Sequence, residues 1–123
     1  MNRSSRMRGA NAYRDGVAAE QAVAQHYERQ GHHIAARRWR SAAGEIDLIA
    51  RKDGNVIFIE VKKSRSHAQA AQALSPRQMQ RIYGAAEIFL GGEPAGLDSA
   101  ARIDVALVDR QGKISILENA ICA

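Results

Sequence analysis

The chain lacks the features that define several large protein classes. It has one cysteine, Cys122, so no internal disulfide can form and a cysteine-based zinc site is excluded. Aromatic residues make up only 5% of the sequence, so the core has to rest on Ile, Leu, Val and Ala. No apolar run approaches the roughly 20 residues that a membrane helix needs. The basic start, MNRSSRMRGANAYR, is not followed by an apolar segment and does not read as a secretory signal. These absences predict no membrane association and a reducing, cytoplasmic setting. The 123 residues, 46% of them hydrophobic, suit one compact domain.

The charge is unevenly spread. The net charge is +5, and residues 1–40 account for all of it, with eight Lys/Arg against Asp15, Glu20 and Glu28. Arg3, Arg6, Arg8 and Arg14 lie in the first stretch; Arg37, Arg38 and Arg40 follow. Such a distribution suits a phosphate-bearing partner, although a solvated tail and an ordinary basic strand would look the same.

Residues 1–10, rich in Arg, Ser, Asn and Gly, read as a disordered basic N-terminus, and 11–123 as a single domain. A helix is predicted over 11–30, with Tyr13, Val17, Val23, Ala24 and Tyr27 at helical spacing and Gly31 at its end. A short strand over 33–40 carries Ile34 and Trp39, and the loop SAAG leads to two stronger strands, 45–51 and 55–63. Residues 64–74 read as a mobile loop. Ser75-Pro76-Arg77-Gln78 reads as a helix start, with Ser75 capping, Pro76 at the first position and Gln78 closing a capping box. Met79, Ile82, Ala86 and Phe89 form that helix's apolar stripe, and Gly91-Gly92 ends it. Strands over 102–109 and 113–118 complete the order. A helix between the third and fourth strands predicts a parallel crossover. The expected fold is therefore α/β, a mixed sheet of about five strands with helices against it.

The stretch GEIDLIARKDGNVIFIEVK holds most of the chemical information. With Asp53-Gly54 as a two-residue turn, paired positions sum to 107, so Asp47 falls opposite Glu60 and Glu45 opposite Lys62. Alternation places Glu45 and Asp47 on one face with Ile46 and Leu48 on the other, and sets Glu60 and Lys62 against Ile59 and Val61 in the same way. Opposed carboxylates are destabilising, and a divalent cation such as Mg²⁺ or Mn²⁺ is the simplest compensation. An exposed face with Glu45 paired to Lys62 is the alternative. Glu20 falls in the apolar stripe of the first helix, so it needs compensation as well. It is either a third acid near the same ion or the partner of an arginine such as Arg37 or Arg40.

Ile46-Asp47 followed by Glu60-Val61-Lys62 resembles the PD-(D/E)xK nuclease pattern, with Ile46 in the place of the Pro. More closely, the chain resembles the YraN-type family of uncharacterised bacterial proteins, which are similar to archaeal Holliday-junction resolvases. The resemblance rests on GVAAE ending at Glu20, Gly31, Arg38-Trp39-Arg40, GEIDLI, FIEVK, RIDV at 102–105 and Glu118-Asn119-Ala120, and it covers nearly all of the chain from residue 11. It implies a restriction-endonuclease-like fold. It also implies Asp47 and Glu60 as metal ligands, Lys62 as a group that positions or activates water, and Glu20 as the helix glutamate of resolvase-type members. The chain differs from the family pattern at Lys63-Ser64-Arg65, and has Arg77-Gln78 where Lys-Gln is frequent.

Phosphodiester hydrolysis needs an activated water and neutralised charge at phosphorus, which a cation and a nearby ammonium supply. The expected activity is thus Mg²⁺- or Mn²⁺-dependent cleavage of DNA, branched or otherwise structured DNA included. Arg37, Arg38, Arg40, Lys63, Arg65 and Arg77 would bind the nucleic acid, with Glu45 and Gln78 supporting the site. The alternative is a module on the same fold that binds nucleic acid without cutting it. Resolving a junction symmetrically would call for a homodimer. The tail Ile121-Cys122-Ala123 and the helix from Ser75 are its candidate surfaces. His26, His32, His33 and His67 sit in polar surroundings and are assigned no role.

Overall fold

The structure, a computed structural model, describes residues 3–63 and 74–120, with side chains from residue 16 onward. The predicted mobile loop with Arg65 and His67, the Tyr13 side chain, and the tail with Cys122 lie outside the described residues. Helix α1 spans Arg3–Arg29. Arg, Met and Ala favour helix and no proline intervenes, so the backbone is already helical at Arg3, within the stretch that the sequence predicts to be unstructured. The helix ends at Gly31, whose φ of 91° is left-handed. Gly31 N–H donates to the Glu28 carbonyl (3.0 Å) and His32 N–H to the Tyr27 carbonyl (3.1 Å), a Schellman termination. Ala19, Val23, Ala24 and Tyr27 form the buried stripe. Val17 was expected there and is 40% exposed.

Strands β1 (His33–Arg40), β2 (Glu45–Lys52), β3 (Asn55–Lys63), β4 (Ala101–Val108) and β5 (Ile114–Leu117) form one sheet in sequential order. Helix α2 (Pro76–Gly91) connects β3 to β4, and these two strands are parallel, as the crossover requires; the other neighbours are antiparallel. A short 3₁₀ turn, Gly96–Asp98, precedes β4. This is the mixed five-stranded α/β architecture expected from the element order. The β2–β3 turn has Asp53 at φ 52° and Gly54 at φ 81°, the two left-handed residues of a type I′ turn. Leu48 pairs with Ile59 and Lys52 with Asn55, which is the predicted register.

The two helices cover opposite faces of the sheet. Ile82, Ala85 and Ala86 of α2 pack with Ile46, Ile49, Val56, Phe58, Ile103 and Val105. Trp39 and Phe58 each meet Phe89 edge to face, at 5.3 and 5.6 Å between ring centroids. On the other face Val23, Ala24 and Tyr27 of α1 pack with Leu48, Ala50, Ile57, Ile59, Ala106 and Val108. A strand buried on both sides reads as a continuous apolar run, and Val56-Ile57-Phe58-Ile59 is one. The alanines of α1 let its backbone come close to the sheet.

One polar group is completely enclosed in this packing. Asp104, 0% exposed, accepts from the Tyr27 hydroxyl (2.8 Å), Arg102 Nε (3.0 Å) and the Asn119 N–H (2.9 Å). Burial, together with the adjacent Asp104 carboxylate, pushes the Tyr27 phenol well above its usual range, so its hydroxyl remains a donor. The network ties α1, β4 and the turn after β5 together. Tyr27→Phe is expected to cost about 1–2 kcal/mol by removing one bond. Asp104→Ala should cost about 3–5 kcal/mol, because Arg102 and Tyr27 both lose their acceptor. Urea unfolding of the two variants tests this ordering; equal losses would contradict it.

Candidate functional site

The β2–β3 ladder stops at Leu48–Ile59. In a two-residue hairpin the hydrogen-bonded pairs alternate from the turn, and the next would join Val61 N–H to the Ile46 carbonyl. Instead Val61 N–H donates to Asp47 Oδ2 at 2.8 Å. The carboxylate thus takes the place of a backbone carbonyl, and the strands part beyond it. Alternation resets at the same point. Ile46 belongs to the α2 face and Leu48 to the α1 face, so the predicted placing of both on one face is wrong. Across β1 the matching position is Arg38, between the pairs Arg37–Leu48 and Trp39–Ile46, with a left-handed φ of 48°.

Parting of the strands corrects a second expectation. Glu45 does not stand opposite Lys62. It lies half-exposed against Arg40, with 3.5 Å between Arg40 Nε and Glu45 Oε2, a surface pair of little energetic weight. Lys62 turns to Glu60, two residues away on the same face of β3, at 3.4 Å. Glu60 is 7% exposed, and its Oε1 also accepts from Gln78 Nε2 at 3.1 Å. Ser75 caps α2 as predicted, accepting from Gln78 N–H at 3.1 Å. The Gln78 side chain, expected to complete a capping box, is directed to Glu60: the first turn of α2 sits beside the open end of β3, and a buried carboxylate is a strong acceptor.

Asp47 lies near enough to Glu60 for its charge to raise the Glu60 proton affinity. Burial raises Asp47 above its ordinary value; the Val61 N–H opposes that shift, and the nearby Glu20 charge adds to it. Glu60 is pushed up to about 8 by burial and then by the Asp47 charge, against the pull of Lys62. Glu20 itself is the acceptor of Arg38 Nε at 2.9 Å. The arginine partner is thus Arg38, not Arg37 or Arg40, because the left-handed residue turns Arg38 onto the α1 face. Arg37 Nη1 donates to Gln21 Oε1 (3.2 Å) one residue along α1.

Asp47, Glu60 and Lys62 therefore converge, with Gln78 added from α2, while Glu20 is held by Arg38 and bears on Asp47 through its charge. Arg37, Arg38 and Arg40 end β1, Lys63 ends β3 and Arg77 begins α2, all at the same end of the sheet as Asp47. Two oxygen donors, Asp47 and Glu60, suit Mg²⁺ or Mn²⁺, which keep several waters. Among the described residues no three His, Cys, Asp or Glu side chains are gathered closely enough to hold a metal. The Tyr27–Asp104–Arg102 network was not singled out from the sequence. Its signal was Asp104 within the apolar strand sequence RIDVALV.

The family described as Uncharacterised protein family UPF0102 matches residues 19–108. A UPF0102 protein of Cereibacter sphaeroides is 62% identical over 117 residues, 95% of this chain and all of the relative. One from Ruegeria pomeroyi is 51% identical over 113 residues, 92% of each. One from Azorhizobium caulinodans is 45% identical over 116 residues, 94% of this chain and 88% of the relative.

Because the fold raises the Glu60 proton affinity, the folded chain keeps a proton between about pH 4.5 and 8 that the unfolded chain has released. Its contribution to stability is present below that window and is lost as the pH rises through it. Glu60→Gln cannot ionise and should flatten this decline, becoming more stable than wild type at pH 8 by about 2 kcal/mol. Urea unfolding at intervals from pH 4.5 to 8 measures it. Parallel curves for the two proteins would refute the raised proton affinity of Glu60.

Proposed function

The chain belongs to the UPF0102 family, and from the Asp47–Glu60–Lys62 cluster, which resembles the PD-(D/E)xK pattern, we propose a divalent-metal-dependent endonuclease that hydrolyses DNA phosphodiesters, branched or structured DNA being its substrate class. The observation that carries this reading is a pair of carboxylates held together under burial, with an ammonium on one of them. A fold keeps such a costly arrangement for what binds there. Asp47 and Glu60 would hold Mg²⁺ or Mn²⁺, and such an ion, when bound, supplies Lewis-acid charge and a more acidic water.

The chain's own groups do the rest. Asp47 is fixed by the Val61 N–H and Glu60 by the Gln78 amide, so neither carboxylate has to be ordered when a ligand arrives. Lys62 brings a fixed positive charge to the place where a phosphodiester gains negative charge. The mostly buried setting (19% exposure for the Lys62 side chain) strengthens that interaction. Arg40, Arg77 and Lys63 are exposed around the site and suit the phosphates on either side. A four-way junction cut symmetrically requires two such sites, hence a two-fold dimer on that substrate.

A second reading, nucleic-acid binding without cutting, draws on the Arg38–Glu20 pair, which leaves only two carboxylates to an ion. One experiment separates them. Duplex, single-stranded, flap and four-way-junction DNA are incubated with the full chain and Mg²⁺ or Mn²⁺. Cutting should appear on at least one substrate, stop with EDTA, and fall at least about 100-fold in Asp47→Ala and Lys62→Ala. Salt-sensitive binding with no cutting of any substrate would reject the nuclease and leave the binding module.

A further inference from the structure

Among the described residues, Arg38 is one of three non-glycine residues with a left-handed backbone, at φ 48°. The other two, Asp53 and Asn119, are Asp and Asn in turns, which tolerate this region. Arg38 lies inside a strand, where the conformation costs on the order of 1 kcal/mol and has to be held by its surroundings. Its effect is specific. Two consecutive side chains of β1, Arg37 and Arg38, reach α1 on one face of the sheet, and Arg38 arrives at Glu20 directly across the strand pair from Asp47. Glu20 is mostly covered, at 18% side-chain exposure, whereas Arg38 is 37% exposed. The cation of this pair is the member more open to solvent.

We propose that Arg38 is an exchangeable counter-ion, which holds Glu20 in the nucleic-acid-free chain and passes to a backbone phosphate when nucleic acid binds, leaving Glu20 to join Asp47 and Glu60 as a third oxygen donor for the divalent cation. This rests on the reading of Asp47 and Glu60 as a cation site. A guanidinium suits both acceptors, because its planar fork matches carboxylate and phosphate alike. A mostly covered Glu20 that loses Arg38 carries an uncompensated charge, and the available compensation is a cation beside Asp47, whose proton affinity Glu20 already raises. The exchange accounts for a Glu20 whose charge bears on Asp47 while its carboxylate is paired with Arg38. It also couples the two ligands: phosphate binding favours cation loading and cation loading favours phosphate binding, by the same factor.

The test is calorimetric titration of the full chain with Mn²⁺ alone, no nucleic acid present, so that only Arg38 governs whether Glu20 is available. Arg38→Gly removes the guanidinium and keeps a residue at ease with a positive φ. It should bind Mn²⁺ about tenfold more tightly than wild type, a typical coupling size. Adding Glu20→Gln to it should erase the gain, and Arg38→Lys, which keeps a cation at the position, should stay near wild type. Glu20→Gln by itself should leave the wild-type Mn²⁺ affinity within about twofold, an arm that holds even where Arg38→Gly is unstable. Wild-type Mn²⁺ binding that Arg38→Gly fails to strengthen, or that Glu20→Gln alone weakens tenfold, overturns the exchange and leaves the cation reading in place. Absence of Mn²⁺ binding in wild type and Arg38→Gly overturns both.

Discussion

The hydrogen bond from Val61 N–H to the Asp47 carboxylate governs the geometry of this protein's candidate site. A ladder bond to a backbone carbonyl would keep β2 and β3 zipped to their ends, and Asp47 and Glu60 would then stand as an opposed pair on a flat face. With the carboxylate as acceptor, the strands part after Leu48 and Ile59. The gap admits Gln78 from the first turn of α2 and lets Lys62 fold back onto Glu60. The reset of alternation that sends Ile46 to one core and Leu48 to the other belongs to the same event. So does the left-handed Arg38, its neighbour across β1.

This local opening is possible because the rest of the sheet is firmly closed. β3 is central, buried on both faces, and paired along its length with β4 from Val56 to Lys63. Asp104 lies opposite Ile59 in that pairing, one position before Glu60 meets Val105. The Tyr27–Asp104–Arg102 network therefore fixes α1 against β4 close to where β2 leaves β3. Glu20 precedes Tyr27 by seven residues, about 10 Å along the helix, so the network also sets where Glu20 is presented. A buried, satisfied polar network and a largely covered acidic pair thus occupy neighbouring parts of one sheet. The first makes the second affordable.

Charge follows the same geometry. The excess of +5 is modest, yet Arg37, Arg38, Arg40, Lys63 and Arg77 are all delivered to one end of the sheet by the direction of their elements. β1 and β3 both run toward the Asp47 end, and α2 begins there. Local arrangement, more than net charge, is what lets that end serve the proposed contact with phosphates. Exposed pairs such as Arg40–Glu45 are weak enough to be broken by a competing anion at little cost.

Much of this was legible in the chain itself. Period-two apolar runs, an Asp-Gly turn and a Ser-Pro helix start are local signals, set by steric and hydrogen-bonding preferences of a few adjacent residues, and they determined the element order, the hairpin register and the convergence of Asp47, Glu60 and Lys62. Glu20 in an apolar helical stripe announced a buried acid in the same way. What the sequence could not decide is where a side chain finds its partner when two candidates are in reach. Lys62 chose Glu60 over Glu45, Gln78 chose Glu60, and Glu20 took Arg38. Val17 and Ile46 left their expected places, and Asp104 gained two donors, Tyr27 and Asn119, from distant segments. Each outcome depends on a backbone departure or a long-range approach that no short window of sequence contains. Burial then fixes it, because a polar group removed from water has to accept the partner that packing places within reach.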